Sequence, residues 1–275
     1  MPGKVTYQTR AYSDEELYNL LTPIVKSWFS KTFPTFGPPQ RYAIMDIHSR
    51  KNTLVCAPTG SGKTLTAFLS VLNELVDSAE KSILEQRIYC VYISPLKALN
   101  NDIARNLIAP LSQMQELSKN PLGIRVGVRT GDTSASDRAR MLAKPPHILI
   151  TTPESLGILL ASPKFSRHLS QVDWCIVDEI HSLAENKRGV QLSLLIERLQ
   201  SKNPGMCRIG LSATVSPLEE VARYLAGSER DVTIVDVQYV KSYDLDVYSP
   251  VENLIETPYA LMHASLYLLL HKLIQ

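Results

Sequence analysis

The chain has 275 residues, enough for one large α/β domain or two small ones, with 44% hydrophobic and 20% charged residues in an ordinary globular balance. A formal net charge of +2 supplies no bulk basic field, so any binding of nucleic acid has to rest on a local patch. No apolar run approaches the ~20 residues of a membrane span, the start Met1-Pro2-Gly3-Lys4 holds no signal region, and Cys56, Cys90, Cys175 and Cys207 lie apart without metal-ligand spacing; together these predict buried thiols, a reducing cytoplasmic setting and no membrane partner.

In chain order, Ser13-Asp14-Glu15-Glu16 reads as a capping box. Leu17, Leu20, Leu21, Ile24, Val25, Trp28 and Phe29 follow at helical spacing, with Pro23 inside the pattern expected to kink the helix. The Pro- and Gly-rich stretch 33–40 ends this lead-in. Beyond it, short apolar runs predict strands near 53–57, 88–93, 124–128, 147–151, 173–178, 207–211 and 232–236, separated by helical stretches. Several, such as Ile88-Tyr89-Cys90-Val91-Tyr92-Ile93, are apolar on both faces. That pattern predicts an α/β fold with a mostly parallel central sheet and helices on both faces, its phosphate and metal groups gathered at the carboxyl edge.

Two segments carry the chemistry. Ala57-Pro58-Thr59-Gly60-Ser61-Gly62-Lys63-Thr64 follows the run Thr53-Leu54-Val55-Cys56 and opens the helical Leu65-Thr66-Ala67-Phe68-Leu69, so it reads as strand, tight loop and helix start. Such a loop lets Thr59, Gly60, Ser61 and Gly62 turn backbone N–H groups toward phosphate oxygens at a positive helix end. Lys63 can then reach the β- and γ-phosphates of a nucleotide and the Thr64 hydroxyl can ligate Mg²⁺. Ala57 stands where the phosphate-loop pattern has its first Gly. The second segment, Trp174-Cys175-Ile176-Val177-Asp178-Glu179-Ile180-His181, is an apolar strand ending in acids. Asp178 can hold the metal through water and Glu179 can orient and polarise the attacking water, since phosphoryl transfer depends on positioning and charge stabilisation.

With both segments in place, the chain resembles the first RecA-like domain of a superfamily 2 helicase, from about Phe36 to Gly227. Gln40 after Pro38-Pro39 resembles the Q motif, which implies that its amide reads adenine beside a stacking aromatic, Phe36 or alternatively Phe33. Ser94-Pro95-Leu96-Lys97 resembles motif Ia, in which Pro95 and Lys97 would hold the nucleic-acid backbone. Thr151-Thr152-Pro153-Glu154 resembles motif Ib. Thr152, Pro153 and Glu154 there are either strand contacts or simply a helix start, with a threonine cap, Pro in the first turn and an acid at the positive end. Arg129 and Gly131 are either a further backbone contact or an exposed turn. Ser212-Ala213-Thr214 resembles motif III, which implies that Ser212 and Thr214 couple the ATP site to nucleic acid and that His181 links the two. The runs Tyr92–Asp102, Asp178–Gly189 and Leu194–Leu199 resemble the large helicase-related (Lhr) family, close to the Ski2-like branch. That resemblance implies 3′-to-5′ translocation on single-stranded DNA or RNA, with DNA or DNA·RNA hybrids as duplex substrates. Glu185-Asn186-Lys187-Arg188-Gly189 otherwise reads as a solvated loop.

The resemblance also predicts a missing half. After Thr214 no second motif set follows, and no Arg stands in a motif context that would supply an arginine finger. The expected organisation is a helical lead-in at 1–34, a RecA-like P-loop domain at 35–232, and an extension at 233–275 toward a second RecA-like domain of the full-length chain. Alone, the chain would be a half-site with little turnover. A non-catalytic, ATP-dependent nucleic-acid-binding module is the alternative. A transport ATPase is disfavoured because no Leu-Ser-Gly-Gly signature is present.

Overall fold

The apolar runs become strands because residues that are apolar on both faces can be buried on both. The computed structural model describes residues 2–95, 103–184, 187–237 and 246–274. Among these residues, β1 (Val5–Tyr7), β2 (Thr53–Cys56), β3 (Cys90–Ile93), β4 (Val126–Arg129), β5 (Ile148–Thr151), β6 (Trp174–Val177), β7 (Cys207–Ser212) and β8 (Val232–Asp236) form one sheet. Their order is β1-β8-β2-β7-β6-β3-β5-β4, and every pair is parallel. Strands β2, β3, β5, β6 and β7 are buried along their whole length.

Alternation along each strand divides the interior into two cores. Val55, Tyr92, Ile176 and Ile209 face one, with Phe68 and Phe29. Leu54, Val91, Cys175 and Val177 face the other, with Leu192 and Leu225. All four cysteines are buried and unpaired, as expected for thiols that pack as small hydrophobes.

The described helices are α1 (Asp14–Tyr18), α2 (Pro23–Thr32), α3 (Pro38–His48), α4 (Lys63–Glu80), α5 (Ala109–Leu117), α6 (Ala135–Ala143), α7 (Pro153–Ala161), α8 (Ile180–Ala184), α9 (Lys187–Lys202), α10 (Leu218–Ala226) and α11 (Tyr259–Ile274). A π turn at Ala104–Ile108 leads into α5. The capping box at α1 is present: Glu16 N–H donates to Ser13 Oγ at 3.2 Å and Ser13 N–H to Glu16 Oε2 at 2.8 Å. Ser13→Ala is expected to cost about 1 kcal/mol. Urea denaturation should show a lower midpoint with an unchanged slope, and an unmoved midpoint would show the cap to be idle.

Two expectations are corrected. Pro23 does not kink a long helix; it begins α2 after Thr22, where its missing N–H has no intrahelical partner to lose. The lead-in is not purely helical either, because Val5–Tyr7 pairs with Val232–Ile234 as an edge strand. Three half-exposed residues show too little alternation to be read as a strand, and the partner edge decides their conformation. Gly3 permits the approach, since a Cβ there would meet the Arg230 carbonyl at 2.0 Å.

Residues 1–239 form one compact unit and residues 240–275 another. Leu17, Trp28 and Phe29 of the lead-in join the same core as Phe68 and Tyr92. The expected boundary at 232/233 falls inside β8. The second unit contains α11, 16 residues long. No described helix is long and apolar enough to cross a membrane.

Candidate functional site

A parallel sheet brings every strand's carboxyl end to one edge, so the segments after β2, β3, β4, β5, β6 and β7 meet there. The phosphate loop follows β2. Gly60 and Gly62 have φ of 78° and 88°, left-handed values that disfavour any side chain. Ala57 needs no such φ, which explains why the first glycine is dispensable here. Lys63 is buried, and its Nζ donates to the carbonyls of Ala57 at 2.6 Å and Pro58 at 2.9 Å. Burial pulls its pKa below the usual lysine value, while the nearby Glu179 and Asp178 carboxylates oppose that shift.

A cavity of about 350 Å³ is lined by Phe33, Thr59, Gly60, Gly62, Lys63, Thr64, Arg105, Asn106, Asp178 and Glu179. The two sequence motifs therefore share one wall. Asp178 accepts hydrogen bonds from the Tyr92 hydroxyl and, at 2.8 Å, from Glu179 N–H. Burial raises its pKa and these bonds hold it down. Glu179 adopts φ of 48°, an uncommon conformation for a non-glycine residue that costs backbone energy and clusters at functional sites.

His181 bridges two strand ends. Its Nδ1 lies 3.3 Å from Ala213 N and 3.3 Å from Ser212 Oγ. A backbone N–H can only donate, so Nδ1 is the bare nitrogen of the neutral ring and Nε2 carries the proton. Nε2 faces Glu179 Oε2 at 3.3 Å. This tautomer connects Glu179 to the Ser212-Ala213 turn through one imidazole. Thr214, beyond it, is exposed.

The adenine-side expectation is half corrected. Gln40 is buried, its Oε1 accepts Gly37 N–H at 2.7 Å, and a Cβ on Gly62 would lie 3.5 Å from its Nε2. The amide thus stands against the phosphate loop. Phe36 does not stand open to a base: its ring is 2% exposed and stacks on Phe29 with centroids 4.2 Å apart. The aromatic on the cavity wall is Phe33. Spacing alone did not separate the two, because both rings flank the same turn and only packing chooses which one the core takes.

Toward β3, β5 and β4, the Pro95 carbonyl accepts Arg188 Nη2 at 3.2 Å. Lys97 lies outside the described residues. Thr152 is buried and its hydroxyl caps α7, accepting Ser155 N–H at 3.4 Å, with Pro153 next in the first turn. The helix-start reading thus accounts for both residues. Glu154 is exposed and pairs with Arg188 Nε at 2.6 Å, which pulls its pKa below the usual carboxylate value. Arg129 donates to the Thr130 carbonyl at 3.1 Å, and Gly131, exposed in the next turn, accepts Arg138 Nη2 at 2.9 Å.

Four residues escaped the sequence reading. Tyr92 passed as part of an apolar run, although a buried tyrosine hydroxyl asks for a partner. Arg105 and Asn106 reach the cavity through a π turn that no local pattern announces. Arg188, expected in a solvated loop, lies in the first turn of α9. The donor set fits Mg²⁺. Thr64 and Asp178 line the cavity together, and no cluster of three or more His, Cys, Asp or Glu able to hold a metal occurs among the described residues. Magnesium needs only one or two protein oxygens beside phosphate and water.

Comparison with known proteins places these features. The profile described as DEAD/DEAH box helicase matches residues 37–221. The chain is 55% identical over 278 residues to the ATP-dependent helicase Lhr-Core of Methanocaldococcus jannaschii, covering 99% of this chain and 33% of that protein. It is 39% identical to the Lhr helicase/uracil glycosylase of Escherichia coli, over 86% of this chain and 16% of that one. A solved structure of Mycobacterium smegmatis helicase Lhr bound to ssDNA and AMP-PNP superposes with TM-score 0.79 at 41% identity, over 92% of this chain and 32% of that chain. The DEAD-box helicase Mss116 bound to ssRNA shares the fold at TM-score 0.70 and 20% identity. The chain spans about a third of the length of the Lhr-Core relatives it matches.

Proposed function

Because the chain belongs to the DEAD/DEAH box helicase family, we propose that it is the ATP-binding motor domain of an Lhr-like helicase, which couples ATP hydrolysis to movement along single-stranded nucleic acid. One observation supports this reading above the others: the cavity that joins Lys63 and Thr64 of the phosphate loop to Asp178 and Glu179. Lys63 would exchange its two carbonyl partners for phosphate oxygens, which hold an ammonium better in a partly buried site. Thr64 would ligate Mg²⁺ and Asp178 would hold it through water; the metal's chemistry when bound is to neutralise phosphate charge. Glu179 would take up the proton of the attacking water, its carboxylate held by the protonated Nε2 of His181. The His181–Ser212 contact then offers a route by which the state of the ATP site reaches the motif III turn.

The finer reading is translocation from 3′ to 5′ on single-stranded DNA, with DNA or DNA·RNA hybrids as duplex substrates and a second RecA-like domain of the same protein closing both sites. It is supported by identity to Lhr-Core helicases and by the bound ssDNA of the Mycobacterium smegmatis relative. Its test is ATP hydrolysis by the full-length protein with and without single-stranded DNA or RNA. Strand-stimulated turnover and unwinding of a 3′-tailed duplex are expected. Strand binding without turnover would instead establish a non-catalytic gripping module.

Base selection is a separate prediction. Gln40 keeps Nε2 and the second lone pair of Oε1 available beside the loop, which supports pairing with the adenine edge. ATP is expected to bind better than GTP, and Gln40→Ala should reduce that preference by about 1 kcal/mol, a several-fold change. Competition binding with the two nucleotides checks it; equal affinities in the unmutated protein would remove Gln40 from base recognition.

A further inference from the structure

Arg188 opens α9 one turn after the helix that carries His181, and its guanidinium reaches sideways to two other strand ends. Nε donates to Glu154 Oε1 at 2.6 Å and Nη2 to the Pro95 carbonyl at 3.2 Å. It therefore brackets the segment after β3 and the start of α7 after β5, at the sheet edge that also holds the phosphate loop. The pair is open to solvent, with side-chain exposure of 44% for Arg188 and 50% for Glu154. Exposed ion pairs of this kind add little to stability, so stability gives small reason to place a guanidinium there. The packing behind it is tight: a Cβ on Gly189 would meet the Leu183 carbonyl at 1.9 Å, and Tyr224 Oη donates to Gly189 O at 2.7 Å. The backbone that presents Arg188 is thus pinned, while the end of its side chain faces solvent.

We infer that Arg188 is a contact to the phosphate backbone of the bound strand, pre-oriented by Glu154 and the Pro95 carbonyl. The inference rests on the helicase reading above. An arginine presents five N–H donors in a planar fork, and the two bonds described leave others for a phosphate. Glu154 orients the fork, and its own charge, which would otherwise repel the strand, is neutralised by the same pairing.

The test is fluorescence anisotropy of a labelled oligo(dT) strand with the full-length protein and a non-hydrolysable ATP analogue, across about 50–300 mM KCl. Removing one phosphate contact should lower the slope of log K against log salt by about 0.7 for a single strand. Arg188→Gln is expected to show that smaller slope and weaker binding at low salt, with the difference closing as salt rises. Arg188→Lys should restore most of the slope. An unfolded fraction scales the apparent affinity by the same factor at every salt and leaves the slope alone, so misfolding cannot imitate the result. If the wild type binds the strand and Arg188→Gln keeps the same slope, the phosphate contact is wrong while the helicase reading stands. That holds even if affinity falls equally at every salt, which would mark Arg188 as a structural bracket. If the wild type binds no strand at all, the helicase reading fails first.

Discussion

Glu179→Gln is expected to leave ATP affinity within about twofold of wild type and to lower strand-stimulated hydrolysis by about 10²–10⁴-fold, the range for loss of a positioned general base. The amide keeps the shape of the carboxylate but neither accepts a proton at neutral pH nor polarises water. Its amide oxygen can still accept from the protonated Nε2 of His181, so the imidazole link to Ser212 and Ala213 need not be lost. Phosphate release under saturating strand, with calorimetry for binding, checks both halves. Hydrolysis within tenfold of wild type would transfer the role to another group. The same assay on the 275-residue chain alone addresses the half-site idea. A cation opposite the transferring phosphoryl group is typically worth about 10³–10⁵ in rate, and the second domain is the expected source, so slow turnover is expected. Arg105 is the guanidinium on the cavity wall. Rapid turnover by the isolated chain that collapses in Arg105→Ala would show that the cation comes from within these residues.

Lys63→Ala is expected to weaken Mg²⁺-ATP binding by about 1.5–3 kcal/mol, roughly 10–150-fold, the value of a charge-assisted hydrogen bond to phosphate. Burial depresses the Lys63 pKa, and the carboxylates of Glu179 and Asp178 oppose the shift. An anionic phosphate beside the ammonium would raise it again. Nucleotide binding should therefore stabilise the charged lysine, and the substitution removes that linkage together with the contact. Isothermal calorimetry at a temperature where both proteins are folded checks the affinity. Equal affinities would remove Lys63 from phosphate recognition.

Much of this site was legible along the chain because its parts are local. Gly60-Ser61-Gly62-Lys63-Thr64 must turn, bare its N–H groups and start a helix within a few residues, and each need selects a residue type. Asp178 and Glu179 end an apolar strand, and a fully apolar strand implies burial on both faces. From these alone follow the parallel α/β architecture, the sharing of one sheet edge by the two motifs, and a nucleotide with Mg²⁺ as the ligands to propose.

The remainder was decided by packing, which no local pattern encodes. Phe33 and Phe36 are equivalent as sequence; stacking on Phe29 took Phe36 into the core and left Phe33 at the cavity. Val5–Tyr7 became a strand because the β8 edge offered unpaired backbone groups. The proton on His181 Nε2 was assigned by the N–H of Ala213, 32 residues away. Arg188 left the expected solvated loop for Glu154, 34 residues away, and for Pro95, 93 residues away. Residue type and spacing determined which groups this protein has for binding phosphate, metal and water, because those demands are met within one turn of backbone. Tertiary packing alone determined which aromatic lines the cavity, which imidazole nitrogen carries the proton and which partners hold Arg188, because each is settled by contacts that local pattern does not encode.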